Sequence, residues 1–359
     1  YLNDHLLIYM KKVFQLLVAF SVALDCFAYD FSAVCSTGQT LYYNIMDNNA
    51  IVTYPGSHFH NSYTGFNKPS GRLIIPDTIS VNGVNYPVTK IDKYAFVACN
   101  GISLIWIPNT VDTIGEMAFA GIYFVDTLYL GSNLKWIGNA CFNHTFSNTL
   151  FLNCKNVNFP TYGEQCFVEA IGGGWAPPVS PDRYDSWNAY GYYYYYNNPF
   201  KSTYNTTEHI IIGDSVMAVP SNMFRWFSNI LSFSCNANEI IRIGNGAFLG
   251  CTWIEDSIPN VSKSTYIGDS AFWGCSNLKK ITLTGQDTCF VGINAFSNCP
   301  NLFEFELNCR ILNGNVSDHS NKQIIITIGE NVSEFNTLLF NNCSIDTLFF
   351  LSHTCYSMN

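Results

Sequence analysis

Fourteen cysteines and seven histidines are the side chains of this 359-residue chain with most chemistry to offer. Their spacing decides what they can do. His58-Phe59-His60 would put two imidazoles on one strand face, because alternate residues of a strand point the same way. No carboxylate or cysteine stands close to them in sequence, so the pair reads as an ordinary polar strand rather than a zinc site. No Cys-x-x-Cys pair occurs either. Gly172-Gly173-Gly174 is not followed by a helical pattern, which removes the phosphate-cradle reading. There is no Gly-x-Ser-x-Gly elbow, and the remaining histidines have no nucleophile nearby. Glu255-Asp256 are sequence neighbours and solvated, whereas a glycosidase needs two carboxylates facing each other across roughly 5–9 Å of cleft. The residues therefore assign no catalytic role, no metal and no cofactor.

The cysteines make sense only within a larger pattern, Ile-Gly-x-x-Ala-Phe-x-x-Cys. It runs from Ile91 through Ala95-Phe96 to Cys99, then Ile114-Gly115 to Ala118-Phe119, Ile137-Gly138 to Cys141-Phe142, and Tyr162-Gly163 to Cys166-Phe167. Val219-Pro220 leads to Met223-Phe224. Three close copies end at Phe248 and Cys251, Phe272 and Cys275, and Phe296 and Cys299; a degenerate one ends at Phe340 and Cys343. Phe96, Phe119, Phe142 and Phe167 are spaced 23, 23 and 25, and Phe224, Phe248, Phe272 and Phe296 by 24 each. A fixed period in the twenties means stacked turns of a solenoid.

Each turn has a strand after the cysteine. Ile102, Ile105 and Ile107 correspond to Val125, Leu128 and Leu130, and to Leu278, Ile281 and Leu283. Alternation buries these and turns Trp106 to the other face. Pro108 ends its strand by removing a ladder donor. The glycine after the repeat isoleucine (Gly115, Gly244, Gly268) is expected to supply a backbone conformation closed to most residues. The Ala-Phe pair fills each layer with one small and one large side chain. Cys99, Cys251, Cys275, Cys299 and Cys343 would form an inward ladder whose parallel Cβ vectors suit disulfides poorly, so they are expected to be buried free thiols.

Composition narrows the class further. Charged residues make up only 12% and aromatic residues 16%, against about 25% charged in ordinary domains, so the chain is not a disordered one. No apolar run reaches 18 residues, which argues against multiple membrane spans. The net charge of −9 with no basic cluster argues against a nucleic-acid partner.

Met10-Lys11-Lys12, the apolar stretch Val13–Leu24 and the small residues around Ala28 have the form of a signal peptide, with cleavage after Ala28. Its apolar core is too short to cross a membrane. Loss of residues 1–28 removes two lysines and two aspartates and leaves 13 cysteines, an odd number for a disulfide scaffold. The expected organisation is residues 1–28 as upstream residues plus signal peptide, 29–89 as an N-terminal β cap, and 90–359 as the solenoid. Asn82-Gly83 between Ile79-Ser80-Val81 and Val84-Asn85-Tyr86 is a hairpin signal within that cap. Phe167 to Phe224 spans 57 residues and must hold an insertion. Residues 172–207, rich in Tyr, Gly and Pro, have loop composition. Phe296 to Phe340 spans 44, room for two turns with strands near Phe303–Leu307 and Ile324–Ile328. Leu348-Phe349-Phe350-Leu351 resembles another repeat strand, so the C-terminus reads as truncated.

Cys-x-x-Leu-x-x-Ile-x-Leu-Pro followed by Val-x-x-Ile-Gly-x-x-Ala-Phe closely resembles the BspA-like leucine-rich repeat family, with Cys99–Phe119 nearly complete and the likeness covering roughly residues 88–351. The resemblance implies a β-rich leucine-rich-repeat solenoid, here of about ten turns of 23–25 residues. It also implies a bacterial protein, secreted or on the outer cell surface, engaged in adhesion and not in catalysis. Partners would be host extracellular or bacterial surface proteins; the alternative is a carbohydrate-binding module using the insertion and exposed strand aromatics. Stacking puts equivalent outward positions side by side, which makes Trp106, Tyr129, Lys280, Thr282 and Phe303 ligand-binding candidates. Tyr193 and Tyr195 in the insertion join them.

Overall fold

In the computed structural model each repeat contributes two strands, and equivalent strands of successive turns pair in parallel. The structure describes residues 29–56, 58, 62–138, 141–142, 145–155, 207–221, 223–238, 240–255, 264, 266–284, 288–314, 323–335, 340, 344–351 and 357–358. The signal peptide with Ala28, the insertion at 172–207 with Tyr193 and Tyr195 (all but its last residue, Thr207), and Cys343 lie outside these residues.

The longer strand of each turn forms one ladder. Its first run holds Ser70–Ile74, Gly101–Ile107, Tyr123–Leu130, Thr145–Leu152, His209–Ile212 and Ser232–Cys235; its second holds Lys280–Leu283, Glu304–Leu307, Gln323–Ile328 and Ser344–Phe350. The shorter strand forms the other, also in two runs: Val84–Ile91, Thr113–Ile114 and Trp136–Ile137, then Ala218–Val219, Arg242–Ile243, Tyr266–Ile267, Thr288–Val291, Ile311–Gly314, Glu334–Phe335 and Ser357–Met358. This is the expected β-solenoid. The longest unbroken run of repeat strands is seven rather than the ten turns expected, because no described strand joins Trp136–Ile137 to Ala218–Val219, and in the long ladder none joins Ser232–Cys235 to Lys280–Leu283. The two strands expected between Phe296 and Phe340 are present as Glu304–Leu307 and Gln323–Ile328.

One core runs between the ladders, lined by Ile114, Ile137 and Ile243 from the short strands and Ile105, Leu128 and Ile281 from the long ones. The repeat phenylalanines stack through it. Phe96–Phe119 and Phe119–Phe142 have centroids 5.1 and 5.3 Å apart, and Phe248–Phe272 and Phe272–Phe296 are 5.3 and 5.4 Å apart and within 6° of parallel. That spacing follows from the strand separation of about 4.8 Å. Each buried ring contributes roughly 2 kcal/mol of transfer free energy before stacking is added.

At the N-terminal end, Phe31–Val34, Thr40–Met46 and Asn49–Thr53 form an antiparallel meander whose last strand pairs in parallel with Val84–Ile91. Asn82 and Gly83 both have positive φ, 51° and 80°, and close the Thr78–Val81/Val84–Ile91 hairpin as its sequence requires. The buried Tyr63 hydroxyl donates to the Ala95 carbonyl, 2.9 Å, and Lys68 Nζ to that of Ala98, 3.1 Å, tying the loop before the hairpin to the first repeat.

The glycine expectation is corrected. Gly115, Gly244 and Gly268 are not among the positive-φ residues. They are required because a Cβ at Gly115 would lie 2.3 Å from the Lys93 backbone nitrogen, and one at Gly244 would lie 2.4 Å from that of Ser221. The chain turns left-handed two residues later instead, at Met117, Gly246, Ser270 and Asn294.

The repeat cysteines do more than fill space. Cys251, Cys275 and Cys299 are buried free thiols. Each Sγ–H donates to the carbonyl of the phenylalanine one turn earlier, Phe224, Phe248 and Phe272, at 2.9, 3.1 and 3.0 Å. Thr145 occupies the same repeat position and its hydroxyl donates to Phe119 O at 2.6 Å. Ile122 and Phe227 fill the same position without a donor, so the bond is an addition to packing and not a requirement of the fold. Cys275→Thr should therefore be more stable than the equal-volume Cys275→Val by about 1 kcal/mol, the worth of one hydrogen bond, in urea unfolding. Equal stability would reduce the thiol to a filler.

The expectation of thiols covers the repeat cysteines alone, and one pair outside that ladder is bridged. Cys289 and Cys309, both buried, are joined in a disulfide. Neither belongs to the repeat-cysteine ladder: Cys289 sits in the strand Thr288–Val291, and Cys309 just before Ile311–Gly314, the next strand of the same ladder. Their Cβ vectors are thus free of the parallel alignment that disfavours bridging within the ladder. The bond closes one circuit of the solenoid, a loop of 20 residues, which constrains the unfolded chain by about 3 kcal/mol.

Candidate functional site

Burial of Ile105 and Ile107 fixes Trp106 outward, and in-register parallel pairing then sets every equivalent side chain in one row. The row reads Ile74, Trp106, Tyr129, Phe151, Ile211. Trp106 is 40% exposed and stacks on Tyr129 at 3.7 Å and 3°; Tyr129 meets Phe151 at 4.9 Å and 40°. Asn153 Nδ2 donates to the Tyr129 hydroxyl at 3.5 Å. The result is an apolar ridge across five strands.

A row that is polar beyond Leu104 runs beside it: Leu104, Thr127, Thr149, His209 and Ser232. His209 Nδ1 and Ser232 Oγ are 2.7 Å apart, a cross-strand pair on an open face. Among the described residues no three His, Cys, Asp or Glu side chains gather as a metal site.

The orientation of the rings decides what the ridge can hold. Stacked rings share a normal that runs along the ladder, so Trp106 and Tyr129 cover each other's faces and turn their edges to solvent. Edges carry the positive end of the ring quadrupole. Stacking of a sugar on an aromatic ring uses the face; contact with apolar and carbonyl groups of another protein uses the edge.

Of the candidates read from sequence, Trp106 and Tyr129 come together on this ridge. Lys280 and Thr282 are brought together elsewhere. Lys280 Nζ lies 2.8 Å from Glu304 Oε1 and 3.0 Å from Glu306 Oε2, and Thr282 Oγ1 donates to Glu306 Oε2 at 3.4 Å. These hydrogen bonds, to Glu304 first and Glu306 second, hold the ammonium above its usual range. Phe303 is 43% exposed just before Glu304–Leu307. Tyr193 and Tyr195 lie outside the described residues, as do Phe59 and His60 beside the exposed His58.

Sequence reasoning missed Ile74, Phe151 and Ile211, which extend the ridge. It also missed a second outward row on the short-strand ladder, Arg242, Tyr266 and Phe290. The signal was available: each of these three immediately precedes the repeat Ile or Val, at intervals of 24.

Two ladders of short parallel strands around stacked phenylalanines, with one periodic outward face, define a leucine-rich-repeat solenoid. The model for the BspA type leucine rich repeat region matches in six copies over residues 77–170, 191–263 and 256–356, and the chain belongs to that family. Among solved structures it is similar to a leucine-rich repeat protein from Bacteroides ovatus, 16% identical, covering 92% of this chain and 94% of that one at a TM-score of 0.37. A leucine rich cell surface protein from Faecalibacterium prausnitzii is 14% identical over 89% of this chain and 94% of that one, TM-score 0.23. The pneumococcal vaccine antigen PcpA is 14% identical over 90% and 99%, TM-score 0.32. The family assignment rests on the repeat model and not on these superpositions. No curated protein matches the chain.

Proposed function

We propose that this is a secreted or outer-cell-surface, non-enzymatic adhesion protein that recognises host extracellular or bacterial surface proteins through the Trp106–Tyr129–Phe151 ridge. The observation that carries this reading is the ridge itself. Five consecutive strands present an apolar side chain outward at one position, Trp106 exposed and Ile74, Tyr129, Phe151 and Ile211 half-buried beside it. Contiguous exposed apolar surface marks interaction sites, and Trp and Tyr are their usual anchors. The leader-like stretch Met10–Ala28 supports export, and the Cys289–Cys309 disulfide suits an oxidising compartment. No helix among the described residues is long and apolar enough to cross a membrane.

The carbohydrate alternative draws on Tyr193 and Tyr195 of the insertion. On the described ridge the covered ring faces favour protein over glycan. A panel of immobilised matrix proteins and a glycan array, probed side by side, test the reading. Binding should be to protein, and Trp106→Ser with Tyr129→Ser should weaken it at least about thirtyfold, the effect of losing a hot spot. Glycan-only binding that disappears on deleting residues 176–205 would replace this reading with the alternative.

A further inference from the structure

The second outward row has a different character. Arg242 lies over the Tyr266 ring, its guanidinium carbon 4.5 Å from the centroid, and Tyr266 stacks on Phe290 at 5.4 Å and 13°. Arg242 is exposed, Phe290 is 40% exposed, and Ile293 just beyond it is 62% exposed. No carboxylate of the described residues lies within ion-pair distance of Arg242, in a chain whose net charge is −9. Asp269, a turn-mate of Tyr266, spends Oδ1 on the Ile293 backbone N–H at 2.7 Å. Its own N–H goes to Asn245 Oδ1 at 3.0 Å.

A guanidinium resting over a ring has less freedom than one in open solvent, and its planar fork of donors matches a carboxylate bidentately. Contact with Tyr266 restrains Arg242 in advance, so less side-chain entropy is lost when an anion binds. Two strands further along, about 10 Å away, the surface changes to the apolar pair Phe290 and Ile293. An extended peptide of the polyproline type advances about 9 Å in three residues and returns to the same face.

We propose that the Arg242–Tyr266–Phe290 row is a docking site for an extended acidic peptide segment of another protein, with a carboxylate on Arg242 and an apolar side chain three residues away on Phe290 and Ile293. The argument is charge complementarity: an exposed cation resting over a ring, with no ion-pair partner among the described residues, at the end of an aromatic strip of matching length. The site lies on the short-strand ladder, so its failure would leave the Trp106 ridge untouched, and the reverse.

The probe is a fluorescein-labelled proline-rich octapeptide with one glutamate and, three residues on, one leucine, titrated against the full chain by polarisation. The glutamine analogue should bind about tenfold more weakly, as expected for loss of one charge-assisted contact. Arg242→Gln should bind both peptides alike, at the level of the glutamine analogue. Arg242→Lys should keep the preference for glutamate but bind several-fold more weakly, because an ammonium lacks the fork. Phe290→Ser should weaken both peptides equally. A thermal melt matching the wild type shows that these exposed substitutions leave the fold intact. Undiminished preference for glutamate in Arg242→Gln would overturn the proposal, as would no binding by the wild type. So would Arg242-dependent binding of a sulfated oligosaccharide tighter than that of the peptide, which would make the row a glycan site.

Discussion

Between pH 8 and pH 10.5 the protein should lose most of its stability, with the urea midpoint falling steeply above about pH 9.5. The cause is the thiol core. Burial pushes Cys99, Cys154 and Cys299 up to about 12 from the usual value near 9. Cys251 is raised in the same direction, and Cys275 is raised well above it by burial, with Cys251 and Cys299 on either side adding to the effect. The direction follows from linkage. Above the ordinary thiol value the unfolded chain releases protons that the native core keeps, so stability is intact below about pH 9 and falls as pH rises toward the native values. Each buried thiol removes up to about 1.4 kcal/mol per pH unit, and five of them about 7 kcal/mol, comparable with the whole stability of a typical domain. Circular dichroism in a urea series at about pH 7, 8, 9, 9.5, 10 and 10.5 measures it. A midpoint that stays flat to pH 10.5 would mean that the thiols ionise in the folded protein.

Phe272→Ala should cost about 4 kcal/mol, the usual range for a large ring removed from a core. Phe272 is fully buried between Phe248 and Phe296, stacked on both, so neither neighbour can relax into the space without breaking its own stack. In a solenoid each turn contacts only its neighbours. Hydrogen exchange should therefore accelerate in the turns carrying Phe248, Phe272 and Phe296, while amides of Gly101–Ile107 hold their protection. Phe303→Ala, at an exposed position, should stay within about 0.5 kcal/mol of the wild type. A loss below about 1.5 kcal/mol for Phe272→Ala, or one spread evenly over the chain, would contradict a stacked core.

Much of this architecture is legible because a solenoid writes its geometry into its period. The 24-residue spacing of Phe248, Phe272 and Phe296 puts one ring in each turn, 5.3 and 5.4 Å apart, and the alternation at Ile105 and Ile107 predicts the outward turn of Trp106. Features that depend on where two turns meet were not legible. Gly115 looks like a conformational glycine, but its reason is the Lys93 backbone pressed against it from the preceding turn. Cys289 and Cys309 lie outside the repeat phrase, so periodicity is silent on their pairing. Lys280 reads as an exposed candidate, yet the register delivers Glu304 and Glu306 to its ammonium. Arg242 and Tyr266 are 24 residues apart, and only stacking makes them one site.

The central proposal, that the protein acts through the Trp106 ridge, is tested most directly by hydroxyl-radical footprinting of the protein free and bound to whichever protein of the immobilised panel it retains. Trp106, Tyr129 and Phe151 should be labelled in the free protein and protected in the complex, with Phe303 unchanged. Undiminished labelling of these three rings in a saturated complex would contradict the account.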